Sequence, residues 1–323
     1  MMKKILAVAI LAASTGLTSV AVQAQEKVMV GEPSWPGAKI IANLIKVVIE
    51  EKLGGEADLV PGTNPVIFAA MDGGRGDIDV HPDVWLPNQK SLTDEYVDGK
   101  ETVGLSEGAY EGRSGFCVPT YMAEKHNIKS VFDLGTPEAQ ALFDSDGDGK
   151  GEIWVGASGW ASTNVHKVKA RDYGIDTFLE PGTEDETVFY AKLKDMIANE
   201  KGAVFYCYKP HYVHALYDVT ILEEPPHDPA SYKIVQPDAD ADWFANSQIM
   251  SGDAVKSVRI AHSKSLDERA PEVAKFLDNI ALNSDDVSQW TYEVVVNGKD
   301  AADVVKSWVD ANGEKVDVWL GIQ

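Results

Sequence analysis

The chain has 323 residues, with 51 acids against 29 bases and a formal charge of −22. That balance argues against nucleic acid and acidic membrane surfaces as partners, because both need a basic footprint. It suits a solvated, exported protein with a weak preference for cations.

The opening "MMKKILAVAILAASTGLTSVAVQAQ" has two lysines, an apolar run from Ile5 to Ala13 and small residues at Val22 and Ala24. This is the plan of a cleavable secretory signal over residues 1–24. The apolar run is shorter than the ~20 residues of a membrane span, so the expected product is soluble, monomeric and periplasmic. The roughly 300 residues that remain exceed what one core usually supports, so two lobes are expected. Cys117 and Cys207 would lie in an oxidising compartment, where a disulfide and two buried thiols both remain open.

"KVMVGEPSW" reads as a strand running into a loop. Next, "PGAKIIANLIKVVIEEKLGG" sets Ile40, Ile41, Leu44, Ile45, Val48 and Ile49 at helical spacing and stops at Gly54-Gly55. "EADLVPG" gives a second strand, and "NPVIFAAMDGGRGDIDVHPDVW" a helix, a glycine-rich turn and a third strand. The middle segment repeats the alternation, with strands in "GRSGFCVPT", "GEIWVGA" and "AVFYCY" and helices between them. "EEPPHDPASY" is a proline-rich crossing, and the last third returns to strand and helices. The predicted class is therefore α/β, with mixed sheets flanked by helices. The division is residues 26–113 plus 232–323 as the first lobe and 114–231 as an inserted second lobe, with a ligand cleft between them.

Four aromatics follow strands directly: Trp35 in "EPSWPG", Trp85 in "HPDVWLPN", Trp160 in "ASGWAST" and Tyr208 in "FYCYKPHY". Ligands of open α/β sheets gather outside the carboxyl ends of strands. Rings facing one another there form a box that attracts a cation, above all a methylated ammonium. A single tryptophan more often packs a core, which is the reading kept for Trp154, Trp290, Trp308 and Trp319.

The combination "DVHPDVWLPN", "GASGWAST" and "VFYCYKPHYV", in that order behind a signal peptide, resembles the periplasmic glycine betaine-binding proteins of ABC importers. The resemblance implies a two-lobed binding protein that closes on a methylated amine and delivers it to a membrane permease with its ATPase. It gives cage roles to Trp85, Trp160 and Tyr208, with Trp35 as a fourth wall and Trp243 as a weaker candidate. The amides of Ala161 and Ser162 would hold the ligand's anionic end. A donor one turn beyond the first-lobe tryptophan is also implied, and here Asn88 and Gln89 stand where histidine is sometimes found. That departure asks for fewer donors, as trimethylamine N-oxide would; choline, carnitine and a sulfonium osmolyte also suit such a box. His211 and His81 would donate to the ligand or support their loops. Glu32 would add a negative wall or stay an ordinary exposed carboxylate.

Asp144, Asp146 and Asp148 fall at positions 1, 3 and 5 of a calcium loop, with Gly149 at 6. Lys150 at position 7 would give a backbone oxygen, and Glu152 stands at position 9. Position 12 is Val155, where a full loop has a bidentate acid, so Glu152 or a residue from elsewhere would complete a structural Ca2+ shell. A competing class is an exported hydrolase, but no H-E-x-x-H occurs in the chain and no clear nucleophile and base are paired in the sequence.

Overall fold

A computed structural model describes residues 27–322; the expected signal segment lies outside them. The strands are β1 (Val28–Glu32), β2 (Ala57–Pro61), β3 (Val80–Leu86), β4 (Val103–Leu105), β5 (Tyr110–Pro119), β6 (Gly151–Trp154), β7 (Leu179–Gly182), β8 (Phe205–Lys209), β9 (Val219–Ile221), β10 (Tyr232–Lys233), β11 (Gln248–Ile249) and β12 (Lys256–Ser263). Their principal order is β2-β1-β3-β12-β5-β8-β6-β7. β1 runs parallel to β2 and β3, and β6 parallel to β7 and β8, whereas β12 and β5 enter antiparallel.

β5 joins the two α/β lobes. Its first residues, Tyr110–Gly112, pair with Lys256–Val258 of β12, and from Arg113 onward it pairs with β8. The chain thus changes lobe inside one continuous strand. Cys117 of β5 is disulfide-bonded to Cys207 of β8, which ties together segments far apart in sequence.

The first helix, α1 (Pro36–Lys52), opens with proline at its first position, where the missing N–H costs nothing. Ile40, Ile41, Leu44, Ile45, Val48 and Ile49 are all buried in it. This helix packs against β1, β2 and β3 and against the C-terminal helices Ser284–Val295 and Ala301–Ala311, so it is apolar almost all round. The second helix, α2 (Asn64–Gly73), ends on left-handed Gly74, as the glycine-rich turn requires.

Residues 232–249 depart from the sequence division. Ile249 of β11 packs with Val165 and Val168 of the helix Ala161–Asp172, and Tyr232, Ile234 and Trp243 cover the same cluster. By contact this stretch goes with the second lobe, because the short β10–β11 hairpin has no core of its own and covers that helix's apolar face. Where the crossings meet, Lys169 pairs with Glu224 at 2.7 Å and with Asp253 at 2.9 Å, and Lys256 pairs with Asp253 at 3.0 Å. Both lysines are fully buried, so each depends on its carboxylate partners.

Candidate functional site

Alternation along β3 puts His81, Asp83 and Trp85 on one face. His81 is buried, and burial lowers its pKa to about 3, so the ring is neutral. Its Nδ1 accepts from the Asp83 amide at 3.2 Å, which leaves Nε2–H to donate to Asn64 Oδ1 at 2.9 Å. The NH2 of Asn64, at the start of α2, is thereby left for the cleft. Asp83 is 1% exposed. One of its oxygens accepts the indole N–H of Trp35 and that of Trp85, the latter at 2.9 Å; the other accepts the Tyr110 hydroxyl. Burial raises the Asp83 pKa, and the three donors oppose that rise.

The second lobe contributes the facing rings. Left-handed Gly159 (φ 84°) turns the chain after β6 and delivers Trp160 as the N-cap of the helix Ala161–Asp172. Tyr206 and Tyr208 share a face of β8 and stack at 5.5 Å. Glu186 accepts the Tyr208 hydroxyl at 2.9 Å, and His211 Nε2 lies 3.0 Å from the same carboxylate oxygen. His211 therefore stands behind the tyrosine and does not line the cavity.

Together these elements make a box of near-perpendicular panels. Trp35 meets Trp160 at 5.9 Å and 80°, Trp160 meets Tyr208 at 6.2 Å and 87°, and Tyr208 meets Trp85 at 5.6 Å and 87°. The cavity between the panels is small, about 30 Å³. No wall ring is more than 7% exposed, so a cation here would be largely desolvated, where cation–π contacts are strongest.

Polar groups gather at one end of the same cavity. Ala161 and Ser162 line it, and their amides are among the first N–H groups of a helix, which lack intrahelical partners. Asn88 Oδ1 accepts from Lys256 Nζ at 2.9 Å, so the Asn88 NH2 is its free side. Gln89 also lines the cavity. Two contacts close it across the lobes. Trp160 Nε1 donates to Ser34 Oγ at 2.8 Å, and the Gln236 amide donates to the carbonyls of Asn88 and Ala161 at 3.1 and 3.2 Å.

Of the residues expected from the sequence, Trp35, Trp85, Trp160, Tyr208, Ala161, Ser162, Asn88 and Gln89 line this cavity. Two others do not. Glu32 ends β1, its carbonyl accepting from the Gly62 amide. Trp243 packs beside Phe244 at 5.4 Å on the far side of the helix Ala161–Asp172, where an apolar helix face needed a cover. Sequence reasoning missed Asn64, Tyr206, Asp83 and Gln236. Period-two alternation would have paired Tyr206 with Tyr208 and Asp83 with Trp85, whereas Asn64 and Gln236 carry no local signal.

Away from the cavity, carboxylate oxygens of Asp144, Asp146, Asp148 and Glu152 lie within 4.8 Å of one another. Gly147 and Gly149 take left-handed conformations that fold the loop back. Lys150 sits just before β6, and Val155 is fully buried.

Residues 26–311 match the family model described as the substrate binding domain of the ABC-type glycine betaine transport system. The chain is 23% identical over 214 residues to the glycine betaine/proline betaine-binding periplasmic protein of Salmonella typhimurium. That match takes in 64% of this chain and 63% of the relative, so it spans a little under two thirds of the relative's length. Among solved structures, the glycine/betaine/L-proline-binding protein of Borrelia burgdorferi shares 21% identity at a TM-score of 0.72, over 91% of this chain and 96% of that one. Lactococcal OpuAC, in its closed form complexed with glycine betaine, shares 20% identity at a TM-score of 0.69, over 91% and 99%. Both are likenesses of fold, that of a two-lobed binding protein.

Proposed function

The chain belongs to the family of substrate-binding domains of ABC-type glycine betaine transport systems, and from that premise we propose that it is the periplasmic receptor of an ABC importer for a small methylated amine. The family is one of binding proteins, not enzymes, which sets the hydrolase reading aside. The observation that carries the proposal is the box of perpendicular rings drawn from both lobes, Trp35 and Trp85 against Trp160 and Tyr208. Each ring is worth roughly 0.5–2 kcal/mol to a trimethylammonium group. The amides of Ala161 and Ser162 with the NH2 groups of Asn64 and Asn88 would take an anionic oxygen. Those donors are all neutral and suit both glycine betaine and trimethylamine N-oxide. After closure, a monomeric receptor would pass the ligand to a permease driven by its ATPase.

Titration calorimetry of the mature protein against glycine betaine, trimethylamine N-oxide, choline and dimethylsulfoniopropionate tests this reading. One of the first two is expected to bind most tightly, and Trp160→Ala to abolish that binding. If none bound below millimolar concentration, the cage assignment would fail.

For the acidic loop we propose a structural Ca2+ held by Asp144, Asp146, Asp148 and Glu152 with the Lys150 backbone oxygen. The convergence of four carboxylates within 4.8 Å supports it. The buried Val155 cannot serve as the twelfth-position ligand, which leaves Glu152 to complete the acid set. Thermal melting in calcium should exceed that in chelator by several degrees, and superimposable curves would refute the ion.

A further inference from the structure

Asp83 is a buried carboxylate whose three hydrogen-bond partners are all neutral: the Trp35 indole, the Trp85 indole and the Tyr110 phenol. No lysine, arginine or histidine appears among the groups acting on it, among the described residues. A buried charge normally requires a partner of opposite sign, and elsewhere in this chain Lys169 and Lys256 show that arrangement. Asp83 stands instead directly behind two walls of the aromatic box, at 1% exposure.

We infer that Asp83 is the countercharge of the box, a positioning residue that also makes the site select a cation over a neutral group of the same shape. This rests on the methylated-amine reading above and adds the residue that enforces it. Two physical effects act together. The carboxylate holds both indoles by their N–H edges, which fixes the angle of the Trp35 and Trp85 faces and polarises each ring toward a more negative face. Its own charge also acts through a dry, low-dielectric wall, where attraction to a cation is far stronger than in water. A quaternary ammonium has no N–H to donate, so the carboxylate serves it best from behind the rings, leaving the methyl groups to fill the box. A primary amine would instead require an acceptor in direct contact.

Asp83→Asn is a close isostere that keeps the acceptor of both indoles and costs the Tyr110 O–H its acceptor, a loss that Tyr110→Phe reproduces without removing the charge. The amide oxygen can accept both indoles, and the amide NH2 can donate to the Tyr110 oxygen. The experiment compares glycine betaine with 3,3-dimethylbutanoate, its neutral-headed analogue, by calorimetry on the wild type, Asp83→Asn, Asp83→Glu and Tyr110→Phe. The wild type should prefer the cation. Asp83→Asn should lose about tenfold or more for glycine betaine while its affinity for the analogue changes less than about twofold. Asp83→Glu should restore part of the preference, and Tyr110→Phe, which removes a neutral donor and keeps the charge, should retain it. Equal losses for both ligands in Asp83→Asn would overturn the inference, since that is what a purely structural support predicts; so would an unchanged preference. Loss of the preference in Tyr110→Phe to the same extent would also overturn it. A wild type that bound neither ligand would defeat the functional reading first, a result distinct from a wild-type preference that survives in Asp83→Asn.

Discussion

The Trp160 indole N–H donates to the Ser34 hydroxyl at 2.8 Å, so a ring of the second lobe is fastened to the loop that carries Trp35 of the first. This bond can exist only when the lobes are closed. Ser34→Ala removes the acceptor and leaves the indole N–H half-buried without it. A net hydrogen bond is worth about 0.5–1.5 kcal/mol, so ligand affinity should fall about two- to tenfold, with the melting temperature of the ligand-free protein nearly unchanged. Calorimetry decides it, and an unaltered dissociation constant would remove Ser34 from the closure.

Gln236 spans the same cleft at its mouth. It is buried, with its oxygen accepting from Asn164 at 2.8 Å and its amide donating to the Asn88 and Ala161 carbonyls. Gln236→Ala should speed ligand release about tenfold, because these bonds form after capture and hold the closed state. Trp243→Ala, in the same segment but outside the cavity, should leave the release rate unaltered. Stopped-flow fluorescence reads both, and equal effects of the two changes would show that the whole segment, not Gln236, matters.

Much of this architecture was legible in the sequence because its signals are local. Helical spacing in α1, the glycine turn after α2 and the aromatic at the end of each strand all follow from short-range periodicity and turn chemistry. Position near strand ends marks Trp85, Trp160 and Tyr208 as candidates, and the family resemblance gives them their cage roles; Trp85 and Tyr208 lie inside the last residues of β3 and β8. Asn64, Ser34 and Gln236 carry no such mark, since each acquires its role from a partner 17 to 148 residues away. Trp243 is the converse case. The family resemblance offers it as a wall, yet it opens a short helix and covers the apolar patch at Val165 and Val168.

Gly112 of β5 faces the Trp85 ring. A Cβ built there would lie 2.4 Å from Trp85 Cζ3 and 2.9 Å from Cη2, well inside van der Waals contact. Gly112→Ala must push the indole from its place, and overpacking of this kind costs about 1–3 kcal/mol. The expected result is a loss of ligand affinity of about tenfold or more with far-UV circular dichroism unchanged. Wild-type affinity in this variant would mean that Trp85 is not held to one position.

Acid should destabilise the fold through its buried histidines. Burial lowers His81 and His166 to about 3 and His214 to about 4, against an unfolded value near 6.5. Between pH ~6.5 and those values the unfolded chain holds more protons than the native one, so stability is full above ~6.5 and is lost as pH falls. Each histidine contributes up to about 1.4 kcal/mol per pH unit across that window. Asp83 works in the opposite sense: its raised pKa makes the folded form the better proton acceptor, so it offsets part of the loss at low pH. His262 and Asp253, also lowered, act in the same sense as these histidines, and Glu224 and Asp278, raised by burial, act with Asp83. The downward shifts outnumber the upward ones, which leaves a net decline. Urea midpoints measured at pH 7.5, 6.0, 5.0 and 4.5 should therefore hold nearly constant at first and then drop. A flat profile down to 4.5 would mean that these rings take up protons without unfolding. Replacing His81 with glutamine should make the decline shallower while retaining a donor to Asn64.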